Sequence, residues 1–179
     1  MHCTNCKGKE LDAFELECGL IAARCHTCEG SMLSLLHYRY WLRQLQSQTA
    51  PEQADKVTVI ADDSGSAHLC PRCGRLMTKF RIDIDTDNRL DLCGHCEEVW
   101  LDKGEWSLLK SRGLHTKLTD LFTDSWQRKL RKQQEERNLE KHYAQLISEE
   151  DFARVREFKH WLDQQEHLTD IRRYLNTNF

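Results

Sequence analysis

Eight of the nine cysteines in this 179-residue chain fall into four Cys-x-x-Cys pairs, and the pairs form two matched sets. Cys70 and Cys73 are followed after nineteen residues by Cys93 and Cys96; Cys3 and Cys6 are followed after eighteen by Cys25 and Cys28. Each set has the spacing of a tetrahedral four-thiolate site, in which two tight knuckles each aim two soft ligands at one ion. Zinc is the expected occupant of both sites, and iron in a rubredoxin-like arrangement satisfies the same spacing. Gly74, directly after Cys73, suits the unusual backbone dihedrals that such a knuckle asks for.

The residues between the pairs alternate. Phe80, Ile82 and Ile84 interleave with Arg81, Asp83 and Asp85, then Thr86, Asp87 and Asn88 form a turn before Leu90 and Leu92. In the N-terminal set, Phe14, Leu16 and Cys18 alternate with Glu15 and Glu17, Gly19 turns the chain, and Ile21 and Ala23 run back. Both patterns describe a β-hairpin that carries the second knuckle to the first, with Cys18 packed as a small hydrophobe on the apolar face.

The run Cys70-Pro71-Arg72-Cys73-Gly74, a hairpin, then Cys93-x-x-Cys96 and Val99-Trp100-Leu101-Asp102-Lys103-Gly104-Glu105 resembles the TFIIB-type transcription-factor zinc-finger family of small bacterial zinc ribbons. The likeness is strong over residues 70–110 and loose over 3–42. Glu98 stands where that family usually has glycine and Trp106 where it has leucine; the N-terminal copy keeps the glycine as Gly30 but has Met32-Leu33-Ser34 for the Trp-Leu-Asp run. The resemblance implies a zinc ribbon, and a link to transcription by analogy only.

The expected fold class is a small metal-bound α+β protein: two zinc ribbons, each a β-hairpin plus knuckles followed by a helix, and an all-α C-terminal region. Residues 1–47 form the first ribbon and its helix, read over 31–47 from Leu35, Tyr38, Leu42 and Leu45 on one face, with Tyr40 and Trp41 off that stripe. Residues 48–68 read as a linker with a short strand at Val57 to Ile60, and 69–113 as the second ribbon and its helix. Asp102 and Glu105 have capping-box spacing at that helix start. Over 117–179, Leu118, Leu121, Phe122, Trp126 and Leu130 form a stripe that lapses at 133–138 and resumes at Leu139, Tyr143 and Leu146. Ser148 caps a further helix through Phe152, Val155, Phe158 and Leu162, and Leu168, Ile171, Tyr174 and Leu175 mark a last one. An antiparallel helical hairpin is the simplest packing; a homodimer through the long helix is the alternative. Modules this small bury too little apolar surface alone, so metal is the expected staple.

Four cysteines close the coordination shell, whereas catalytic zinc keeps a position open, so no enzyme is expected. His2, His26 and His95 lie beside ligands as possible substitutes for a cysteine. His95-Cys96-Glu97 mimics a deaminase motif but lacks the Pro-Cys-x-x-Cys that follows it there, and Asp83, Asp85 and Asp87 mimic a calcium loop without its glycine or its final acid. No basic-then-apolar leader and no long apolar run occur, so a cytoplasmic, non-membrane protein is expected, which suits reduced thiols.

The formal charge of −3 becomes −7 once eight thiolates and two zinc ions are counted, which opposes non-specific coating of nucleic acid. Charge is uneven, however: Lys103, Lys110, Arg112, Lys117, Arg128, Lys129, Arg131 and Lys132 stand against three acids over 103–132. The leading expectation is therefore an adaptor with a protein partner. A nucleic-acid or RNA-polymerase binder using that basic stripe comes second, and a zinc-handling or thiol-redox protein third.

Overall fold

The computed structural model describes residues 1–47 and 61–177, so the strand read at Val57 to Ile60 and most of the 48–68 segment lie outside the described residues. The protein is a small α+β molecule, and among the described residues its strands form one six-stranded antiparallel sheet. The first half supplies β1 (Asp12–Glu17), β2 (Leu20–Arg24) and β3 (Ser31–Ser34); the second supplies β4 (Thr78–Arg81), β5 (Arg89–Cys93) and β6 (Glu98–Leu101). Across the sheet the order is β1-β2-β3-β6-β5-β4, and among the described residues six helices complete the fold: α1 (Leu35–Ser47), α2 (Glu105–Ser111), α3 (Leu118–Leu121), α4 (Asp124–Leu146), α5 (Glu149–Asp163) and α6 (Leu168–Leu175).

The two cysteine repeats are fused rather than separate. Strands β3 and β6 pair antiparallel, Met32 lies opposite Trp100, and Ser31–Leu101 and Leu33–Val99 flank that pair. Met32 and Trp100 each stand four residues beyond the last cysteine of their set. The repeats therefore meet about a local pseudo-two-fold axis, as the subunits of an isologous dimer would. Compact units run Met1–Arg131 and Lys132–Phe179, and the first of them holds both cysteine sets. Residues 31–34, read as helix, are the strand that makes this joint.

Alternation along the strands separates two buried layers. Leu33, Val99 and Leu101 face a core with Tyr38 and Trp41 of α1, Trp106 and Leu109 of α2, and Leu118 and Leu121 of α3. Met32 and Trp100 face the opposite layer with Met77 and the cysteines of both sets. The halves also interlock through helices: Tyr38 Oη donates to His115 O at 2.9 Å and accepts from Leu118 N at 3.1 Å, while Trp106 Nε1 donates to Glu17 Oε2 at 3.2 Å. Trp41, placed off the apolar stripe by periodicity, is buried, and its Nε1 donates to Cys18 O at 3.0 Å.

Two expectations for the first hairpin reverse. Leu20 and Ala22 are buried while Ile21 is exposed, and Cys18 is exposed rather than packed. Ala22 pairs with Phe14 and Ile21 with Glu15, which sets the faces of the return strand, and a register shift between Glu15 and Glu17 takes Cys18 off the face of Phe14. At the opposite sheet edge, the Gln127 side chain of α4 donates to Arg81 O at 2.9 Å and accepts from Arg81 N at 3.2 Å. That amide stands in for a missing strand on β4, and holds the start of α4 to the first unit.

In the second unit, Ser148 caps α5 as read, its hydroxyl accepting from Asp151 N at 3.1 Å. Leu139, Tyr143 and Leu146 on α4 and Val155 and Phe158 on α5 stay about half exposed.

Candidate metal centres

Three of the four knuckles are closed by a backbone hydrogen bond that turns the chain over its sulfurs. Glu29 N donates to Cys25 O at 2.8 Å, Glu97 N to Cys93 O at 2.9 Å and Gly74 N to Cys70 O at 2.8 Å. Gly74 has φ 72°, as the sequence requires. In the second knuckle of each set the left-handed residue is the glutamate directly after the last cysteine, Glu29 (φ 58°) and Glu97 (φ 56°).

Gly30 serves a different purpose, one that Glu98 at the matching position of the second repeat does not share. A Cβ on Gly30 would lie 2.3 Å from Trp100 Cζ2, so this glycine makes room for the indole of the other repeat. Met32, which takes the place of Trp100 in the first repeat, is slimmer and more pliable, and Glu98 fits in the second. Gly30→Ala is expected to cost about 3 kcal/mol, because a fully buried indole has little room to retreat. Urea unfolding at fixed zinc measures it.

The eight paired cysteines fall into two groups that could each hold a metal ion. Cys3, Cys6, Cys25 and Cys28 form one group and Cys70, Cys73, Cys93 and Cys96 the other, the sulfurs of each lying within 4.8 Å of one another. Cys3 Sγ lies 3.6 Å from Cys28 Sγ, and Cys73 Sγ lies 3.6 Å from Cys93 Sγ. A tetrahedron with Zn–S bonds of about 2.3 Å has edges of about 3.8 Å, so both groups fit a metal ion of zinc's size and softness. Cys6 N donates to Cys3 Sγ at 3.3 Å, an outer contact that favours thiolate.

The sulfurs share protons unequally. Burial raises Cys25, but the amides of Cys28 and Thr27 and the adjoining thiols outweigh it and bring it down to about 6. The Arg75 amide lowers Cys73 to about 7, and the hydrogen bond with Cys73 pushes Cys96 up to about 12. One thiol in each group, Cys25 and Cys73, is thus the readier to give up its proton to a soft cation. Neither His2, His26 nor His95 joins a ligand group; all three are exposed, and His26 pairs with Asp12 at 3.3 Å.

Two ion pairs cross the joint in matching fashion, a feature that sequence reading missed. Glu29 accepts from Lys103 of the second repeat at 2.8 Å, and Glu97 accepts from Arg39 of the first at 2.7 and 3.2 Å. Each acid is the left-handed knuckle residue of its own set, so each metal knuckle is tied to the opposite repeat. Their common position after the last cysteine was the available signal.

Asp102 was expected to cap α2. Only the return half of the box forms: Asp102 N donates to Glu105 Oε2 at 2.8 Å, while the N-cap residue Gly104 makes no side-chain cap. The Asp102 carboxylate instead accepts from Ser64 N and Ser64 Oγ, both at 2.7 Å, from Trp100 Nε1 at 2.8 Å and from Asn5 Nδ2 at 3.1 Å. Burial raises its pKa, but these donors outweigh burial and hold it below the usual range. The end of the segment read as linker is thereby clamped to both repeats.

Beside it, His68 lies 3.0 Å from Ser64 Oγ and 3.1 Å from Asp91, which also accepts from Lys79 at 2.9 Å. The order Ser–His–Asp resembles a nucleophile relay, but the Ser64 hydroxyl donates to Asp102, and an activated serine must give its proton to the imidazole. Asp63 adjoins Asp102 and Glu105. The Asp102 oxygens there already accept from four donors.

Burial pushes the Glu105 carboxyl up to about 9, with the Asp102 charge adding to the rise. A folded value above the ordinary 4.5 means that the fold holds this proton more tightly than the unfolded chain. The contribution to stability is complete below pH 4.5 and is lost as pH rises through about 9. Glu105→Gln keeps an acceptor for Asp102 N without the titration. It is expected to exceed the parent by on the order of 2 kcal/mol near pH 8 and by less near pH 6, in urea titrations at fixed zinc.

The basic stripe is largely neutralised. Lys103 pairs with Glu29 at 2.8 Å, Lys110 with Glu17 at 2.7 Å, Arg112 with Asp83 at 2.8 Å, Arg128 with Asp124 at 3.9 Å and Lys132 with Glu136 at 3.9 Å. Lys117, Lys129 and Arg131 complete the set and are exposed. Among the described residues no helix is long and apolar enough to cross a membrane. Compared with models of known protein families, with curated proteins and with solved structures, the chain has no match.

Proposed function

We propose that this chain is a non-enzymatic, cytoplasmic zinc protein that serves as an interaction module, its two four-cysteine zinc ribbons fused into one rigid body that presents surface to a protein partner. Closed tetrathiolate shells support a structural metal, since no position is left for a substrate or an activated water. The resemblance of residues 70–110 to TFIIB-type zinc ribbons agrees with such a role.

The observation that carries the reading is a contiguous apolar surface on the first repeat. Ile21, Leu36 and Tyr40 are 48 %, 63 % and 60 % exposed, and two adjoining cavities of about 350 and 410 Å³ share Ile21, Leu36 and His37. Large exposed apolar side chains gathered beside concave surface mark protein-binding sites more often than solvent-facing ones. The alternative, binding of nucleic acid through the stripe from Lys103 to Lys132, is disfavoured by the acids that already pair with five of its eight bases.

Capture from cell extract with the zinc-loaded full chain tests this. A protein that stays bound in high salt with the wild type, but not with Leu36→Glu/Tyr40→Glu, is expected. Capture of nucleic acid that salt releases, indifferent to that variant, would favour the alternative instead.

A further inference from the structure

The second unit cannot complete a core by itself. Among its described residues only Leu162 is buried, although α4, α5 and α6 all carry apolar stripes. Helices with so little packing are marginal in water, so these faces need covering. The opening between α4 and α5 forms a groove of about 450 Å³ floored by Leu139, Tyr143, Ile147, Phe152 and Val155. Leu139, Tyr143 and Val155 are 54 %, 51 % and 53 % exposed.

The walls of the groove carry opposite charge. Glu136 and Glu140 line the α4 side, and Arg156 and Lys159 line the α5 side. The unit as a whole is nearly balanced, with ten acidic and eight basic residues over 132–179. A strongly acidic or basic face would call for a partner of the other sign. A balanced face with its signs segregated onto facing walls is complementary to itself, because a two-fold rotation brings the acidic wall of one copy onto the basic wall of the other, twice.

We propose that the occupant of this groove is a second copy of the chain, with α4 and α5 of two protomers packing across a two-fold axis into a four-helix interface. Leu139, Tyr143 and Val155 interdigitate at its centre, and Glu136 and Glu140 meet the partner's Arg156 and the partner's Lys159 at its rim. The joint is independent of the cysteine sites, and so goes beyond the function proposed above.

Sedimentation analysis of the zinc-loaded full chain at micromolar concentration is expected to show a dimer. Tyr143→Glu and Val155→Glu are each expected to weaken it on the order of thirtyfold or more while the bound metal is retained. Because an acid in an apolar groove can also disturb the helices, a charge-exchange pair provides the sharper test. Glu136→Arg/Glu140→Arg makes the groove wholly basic and Arg156→Glu/Lys159→Glu makes it wholly acidic, so each alone is expected to be monomeric and an equimolar mixture to form a heterodimer. A monomeric wild type, exchange variants that each still self-associate, or a mixture that stays monomeric would each overturn the proposal.

Discussion

Stripping metal from the full chain with a strong chelator is expected to unfold both repeats together, in one transition, rather than to release one and spare the other. Structural zinc in small domains contributes on the order of 10 kcal/mol or more per site, as much as a whole domain's net stability. The ligand groups share a buried layer with Met32, Met77 and Trp100, and β3 of one repeat is hydrogen-bonded to β6 of the other. Damage at one site therefore reaches the second through the central strand pair. Cys93→Ser is the selective version: it is expected to lose more than its own metal and to broaden or abolish the amide spectrum of residues 1–47 as well. Survival of a native N-terminal repeat in that variant, seen by NMR, would show the repeats to be independent after all.

Trp100→Ala is expected to cost about 3–5 kcal/mol, the largest effect of any single apolar truncation considered. Trp100 is fully buried at the pseudo-symmetry axis, lies in the layer of both cysteine groups, and donates from Nε1 to the Asp102 carboxylate at 2.8 Å. Truncation leaves a cavity and also withdraws one of the donors that hold Asp102 charged in a buried place. Trp100→Met, which copies the other repeat, is expected to cost less. Combined with Gly30→Ala it should fall clearly short of the sum, since methionine no longer occupies the space that the new Cβ needs. Full additivity in urea unfolding would mean that the close approach of Gly30 and Trp100 is not what makes glycine necessary.

Local pattern revealed the cysteine groups and the hairpins, because cysteine spacing and two-residue alternation act within a few positions of chain. The joint between repeats was not legible. Ser31–Ser34 and Glu98–Leu101 are four residues long and mostly buried on both faces, so they show no alternation, and the partner of each lies across the gap between repeats. Trp41 was misplaced because periodicity along α1 gives only one stripe, whereas the helix packs against both β2 and α2, where Trp41 meets Trp106 at 6.0 Å. Asp102 and Glu105 had the right spacing for a cap, but burial beside Ser64, Asn5 and Trp100 redirected the aspartate to donors from distant segments. Tertiary competition of this kind leaves no trace in a short sequence window.

Native mass spectrometry of freshly purified, reduced chain tests most directly whether two tetrathiolate ions hold this fold. Two metal ions per protomer, both lost on acidification together with the compact charge distribution, is the expected result. A compact protomer carrying no metal, or stably holding only one, would contradict it.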